Sequence, residues 1–134
     1  MRDYSDSDGP WVKVATFGVD RALPETVVGC LLIDLRGVDF DDPEKEEALR
    51  GRDGKDPDVA HYVLASPMAF TKLEEICGQA QTLLDYNAAK NFTLRVLIGD
   101  REGRTRAVVV GDAVAEILNG RGIPTTIHHH HLTN

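Results

Sequence analysis

The stretch from Phe92 to Asn119 constrains the fold more than any other part of the chain. It opens with FTLRVLIG, an apolar, β-branched run with the length of a strand. The polar segment Asp100-Arg101-Glu102-Gly103-Arg104 follows at once. Thr105 to Asn119 is then apolar nearly all round, through Ala107, Val108, Val109, Val110, Val114, Ile117 and Leu118. Its helix must be largely buried, and Gly120 and Gly122 end it. A buried helix entered directly from a strand needs a sheet beneath it and other helices beside it, which is an α/β arrangement.

The remaining segments supply those parts. Trp11–Gly18 alternates apolar and polar as a strand does. Val27–Leu35 (VVGCLLIDL) is a nearly continuous apolar run and predicts a central strand buried on both faces. Ser66 as N-cap and Pro67 at the first helical position start a helix. Ala69, Phe70, Leu73, Ile76, Cys77, Ala80, Leu83 and Leu84 follow the 3, 4, 7 spacing of one apolar helical face. Gly37–Pro57 reads as a long loop with a short helix near Pro43–Leu49, and Asp58–Leu64 as one or two further helical turns. Pro124–His131 is a fourth strand or an extended tail. The expectation is one α/β domain over residues 11–134, a mostly parallel central sheet of about four strands flanked by helices, after a disordered tail over 1–10.

Composition excludes several classes. A chain of 134 residues supports one compact domain. Its 22 acidic against 15 basic residues give a net charge of -7, which disfavours RNA held by phosphate neutralisation. No apolar run is long enough for a bilayer span, and Met1–Pro10 lacks the apolar core of a secretory signal. Cys30 and Cys77 show no Cys-x-x-Cys spacing and read as buried free thiols in a reducing cytoplasm. The acidic run Asp39–Glu47 reads as a solvated loop, without the spacing of a calcium loop.

Chemistry concentrates after the third strand. Ligands of open α/β sheets bind beyond the carboxyl ends of strands, and a helix N-terminus favours anions. Here Gly99 opens a loop holding Arg101, Arg104 and Arg106. Gly103 lets the backbone turn amides inward, Thr105 is placed to cap the helix or meet an oxyanion, and Arg106 can grip two phosphate oxygens. The spacing Asp100-x-x-Gly103-x-x-Arg106 is similar to the phosphate loop of cysteine-dependent phosphatases. Asp100 stands where they carry the thiolate and Ala107 where they carry a hydroxyl, so the loop is read as binding an anion without turnover. The alternatives are a solvated turn with Asp100 paired to an arginine, and a phosphate-ester hydrolase using Asp100. Arg36 and one histidine of His128–His131, placed at His129, are further ligand candidates. No catalytic residue, no cofactor and no structural metal is assigned. The acidic 39–47 segment is the candidate surface for a protein partner.

Several segments, taken in order, resemble the C-terminal domain of the RNase adapter RapZ. Thr16-Phe17-Gly18 through Leu23-Pro24 matches its opening segment, and Asp34-Leu35-Arg36 its Asp-Val/Leu-Arg strand end. Leu49, Arg50, Gly54, Asp56, Val59, Tyr62, Val63 and Leu64 follow its next motif. Gly99, Gly103 and Arg106 fall in its glycine-rich His-Arg-Ser loop, and His129-His130-His131-Leu132 on its closing His-Arg-Asp-Leu. The resemblance implies a small phosphosugar-like anion, sensing of glucosamine-6-phosphate, binding of small regulatory RNAs and self-association. This chain departs from the pattern at Asp100, Thr105 and Ala107, which replace its Cys, His and Ser, and at Asp20, which replaces a basic residue. It lacks a Gly-x-x-x-x-Gly-Lys-Ser/Thr loop and a basic tail. The expectation is therefore a stand-alone, diverged copy, of viral or accessory kind, with RNA binding disfavoured.

Overall fold

The computed structural model describes residues 11–21, 30–37, 39–87 and 93–132. The expected tail over 1–10, the Leu23-Pro24 turn and the first residues of the Val27 and Phe92 runs lie outside them. Four parallel strands form one sheet: β1 (Val12–Gly18), β2 (Cys30–Asp34), β3 (Leu94–Asp100) and β4 (Thr125–His129). Their order is β2-β3-β1-β4. Three helices complete the α/β architecture: α1 (Pro57–Leu64), α2 (Ala69–Tyr86) and α3 (Arg106–Gly120).

Register explains which face is covered. Val14, Val96, Leu31 and Ile127 lie in one row across the sheet, and Thr16, Ile98, Ile33 and His129 in the next. These rows belong to the face packed by α2 and α3, where Val12, Val14, Leu94, Val96 and Ile98 are buried with Ile76, Leu84, Val110, Val114 and Leu118. The opposite face carries Lys13, Leu32, Thr126 and His128, all exposed.

The structure departs from several expectations, and Phe70, expected on the apolar face of α2, is 78% exposed. The Val27–Leu35 run is not a central strand: β2 stands at the end of the strand order, and Leu32 is 51% exposed. A continuous apolar run measures hydrophobicity, and only the pairing decides which strand takes the middle. Cys30 is accordingly half-buried, while Cys77 is fully buried; both are free thiols whose pKa burial raises. Ser66 does not cap α2, whose N-cap position is Met68. Its hydroxyl donates to Val63 O at 2.7 Å and accepts from the Asp41 amide at 2.8 Å. It thus closes α1 and ties down the segment that follows β2. The Pro43–Leu49 helix is two 3-10 turns, Pro43–Lys45 and Glu47–Leu49, separated at Glu46.

Candidate functional site

All four strands run the same way, so the loops after β1, β2 and β3 meet beyond one sheet edge. Val19 N donates to Asp100 O at 2.8 Å and Asp20 N to Arg101 O at 2.9 Å, which extends the β1–β3 pairing into the loop. The two chains approach through glycine. Gly103 has φ +76°, and a Cβ there would lie 2.5 Å from Gly18 N and Phe17 C. Gly18 in turn has no room for a side chain against the Glu102 backbone. A Cβ on Gly99 would meet the Phe17 ring at 2.6 Å, so Gly99 serves that ring.

Beside this loop lies a cavity of about 600 Å³. Its basic lining is Arg36, Lys45, Arg101, Arg104 and Arg106, and its acidic lining Asp20, Asp41, Asp42, Glu44, Asp100 and Glu102. Thr105, Gly37, Phe40 and Tyr62 complete it. Arg36, Arg101, Arg104, Thr105 and Arg106 are therefore brought together, whereas Gly99 and Gly103 are not among the lining residues.

The start of α3 differs from the expected open amide cradle. Asp100 is buried, and its carboxylate accepts from Gly103 N, from Ala107 N at 2.9 Å and from the Thr105 hydroxyl at 3.4 Å. The expected Thr105 cap is absent, since the Thr105 hydroxyl points to Asp100 rather than to an α3 amide. Asp100 is also not paired with an arginine among its described hydrogen bonds. The chain supplies its own carboxylate at the positive end of the helix, which is where a bound anion would otherwise be stabilised.

Arg106 is the buried cation of the cavity, with a side chain only 5% exposed. Nη1 reaches Gly37 O at 3.4 Å and Nη2 lies 3.6 Å from Asp42 Oδ2. Its Nε, and that of Arg104, is buried without a hydrogen-bond partner among the described residues. Arg36 contrasts with it: Nε and Nη2 grip both oxygens of Asp34 at 2.7–3.2 Å, at the surface. The Arg36 hydrogen bonds hold the Asp34 carboxyl below its usual pKa. Burial, with help from Asp41, Glu46 and Asp42, raises that of the Tyr62 phenol.

His129 belongs elsewhere. Its Nδ1 lies 2.7 Å from the Thr16 hydroxyl and its Nε2 2.9 Å from Asp112 Oδ1, while Lys55 pairs with Asp112 Oδ2 at 2.9 Å. It does not line the cavity. Thr16 is fully buried, so the chain Thr16–His129–Asp112–Lys55 ties β1, β4 and α3 together without exposing a nucleophile. Gly111 makes room for it: a Cβ there would strike Thr16 Cγ2 at 2.5 Å. His131 has a structural role too, accepting from the Gly18 amide at 2.8 Å.

Burial pushes the His129 imidazole below its usual 6.5, against the pull of the Asp112 hydrogen bond. The folded state thus binds this proton less readily than the unfolded chain, and stability falls as pH drops from about 6.5 through the lowered value. The urea midpoint should decline between pH 7 and pH 5. His129→Gln should be less stable at pH 7 but show a shallower decline; an unchanged slope would remove His129 as the source.

The acidic segment was not legible as cavity lining. Asp41, Asp42, Glu44 and Lys45 reach the site because Phe40 is buried and Ser66 holds the Asp41 amide. The usable signal is that they follow a parallel strand at its carboxyl end, as the Arg101–Arg106 loop does.

The family model described as the RapZ C-terminal domain matches residues 10–133. The chain belongs to that family. The RapZ C-terminal domain family is related to regulatory adapter function. A "Nucleotide-binding protein" of Sphingopyxis alaskensis is 33% identical over 129 residues, covering 96% of this chain and 40% of the relative. Proteins bearing the same description in Rubrobacter xylanophilus and Thermus thermophilus are 33% and 29% identical, covering 80% and 95% of this chain and 34% and 45% of the relatives. The chain thus spans about two fifths of the length of these curated relatives. Among the described residues, no helix is long and apolar enough to cross a membrane, and no group of three or more His, Cys, Asp or Glu could hold a metal ion.

Proposed function

We propose that this RapZ C-terminal-type domain is a non-catalytic regulatory module that binds a small anionic, phosphosugar-like ligand beside the loop 99–107. The observation that carries the reading is Arg106, a guanidinium buried in a cavity wall with contacts at the edge of hydrogen-bonding range and an Nε without a partner among the described residues. A planar fork so placed suits two oxygens of a phosphate. Because Asp100 takes the Gly103 and Ala107 amides, side chains rather than main-chain amides hold the anion. Arg104 and Arg101 add charge, and Asp20, Asp41 and Glu102 offer acceptors for the hydroxyl or ammonium groups of an amino sugar. Asp100 itself is buried, with both oxygens engaged, so the reading does not use it as a nucleophile.

Titration calorimetry with glucosamine-6-phosphate, inorganic phosphate and sulfate tests this. The unaltered protein should bind, and Arg106→Gln should lose about tenfold or more in affinity, the worth of one charge-assisted hydrogen bond. Arg106→Lys, which keeps the charge without the fork, should fall between. Circular dichroism checks the fold of each. No binding by the unaltered protein, or equal binding by all three, overturns the reading.

A protein partner for the acidic face is the second reading. Asp41, Glu44, Glu46 and Glu47 are exposed, and the 3.8 Å approach of Lys72 to Asp39 sets the first turn of α2, with Phe70 78% exposed, beside them.

A further inference from the structure

We propose that Asp42 is a built-in competitor for Arg106, a carboxylate of the same chain that an anionic ligand must displace. The inference rests on the reading of the cavity given above. Asp42 is held from both sides: Oδ1 accepts the Glu44 amide at 3.0 Å, and the backbone before it is fixed by buried Phe40 and by the Asp41–Ser66 hydrogen bond. Its Oδ2 is thereby aimed at Arg106 Nη2, 3.6 Å away. Its side chain is 19% exposed against 5% for Arg106, so both charges sit in surroundings that screen them poorly.

The pair has not the geometry of a committed one. Arg36 and Asp34 make three contacts of 2.7–3.2 Å and use both oxygens, whereas Arg106 and Asp42 make one approach too long for a hydrogen bond. The attraction is Coulombic, without the fork. A ligand phosphate accepting from Arg106 would come within several ångströms of Asp42, where like charges at low screening repel strongly. The carboxylate must swing away or lower the affinity. Asp42 therefore sets the threshold concentration at which the cavity fills.

Calorimetry with inorganic phosphate on the full chain tests this through Asp42→Asn, which keeps an oxygen for the Glu44 amide and removes only the charge. The control is Glu46→Gln, an exposed carboxylate of the same segment that loses the same charge and does not line the cavity. Asp42→Asn should bind phosphate about tenfold tighter or more, and Glu46→Gln less than about threefold tighter. Binding by Asp42→Asn alone would support the proposal in its strongest form. If the unaltered protein binds and Asp42→Asn binds equally or more weakly, or if both variants gain alike, the competitor role is overturned while the anion site stands. If no form binds, the site and its competitor fall together.

Discussion

Gly103→Ala should cost at least about 4 kcal/mol, enough to leave a domain of ordinary stability close to unfolding. Two separate penalties combine. The residue has φ +76°, where a side chain is strained. The added methyl would also lie 2.5 Å from backbone atoms of Phe17 and Gly18. Backbone on a central strand cannot swing aside as a flexible side chain does. Relief requires parting β1 from the loop, which would break the Val19–Asp100 and Asp20–Arg101 hydrogen bonds. Urea unfolding followed by circular dichroism measures the loss. A change below about 1 kcal/mol would mean that the two chains are not in this contact. Gly120→Ala is the control, since nothing lies within 4 Å of a Cβ there.

Asp100→Ala is expected to cost about 3 kcal/mol, or roughly 10 °C in Tm for a domain of this size. The carboxylate satisfies two amides at the buried entry to α3, and its removal leaves Gly103 N and Ala107 N without an acceptor. Asp100→Asn keeps one acceptor oxygen and should lose about half as much. Thermal unfolding of the two variants separates the cases. A loss for Asp100→Ala within about 0.5 kcal/mol would show that water replaces the carboxylate at no cost. An Asp100→Asn loss equal to that of Asp100→Ala would show that the charge, rather than the hydrogen bonds, does the stabilising.

Much of the architecture was legible because hydrophobic period reports directly on burial. The alternation of Trp11–Gly18, the helical face from Ala69 to Leu84 and the all-round apolar Thr105–Asn119 each match an element. What failed were statements about pairing and partners. Val27–Leu35 looked central because its composition is that of a buried strand, yet β3 and β1 take the middle. Ser66 looked like a cap because local patterns cannot show that its hydroxyl is spent on Val63 and Asp41. At the site, the arginine loop was legible from its place after a strand. Its counterpart, the Phe40–Lys45 segment across the cavity, was not, since a charge run says nothing about what it faces. The resemblance to a known family had placed Tyr62 in a motif without revealing that it lines the same cavity.

The close backbone approach of Gly18 and Gly103 separates the pocket's shape from its chemistry. Two residues without side chains hold the wall in place. Positions 20, 101 and 104 hang their functional groups into the space with little else resting on them. Drift at those three places can retune the guest that is accepted while the scaffold stays intact, whereas a single methyl group at either glycine would dismantle the cavity whatever its lining.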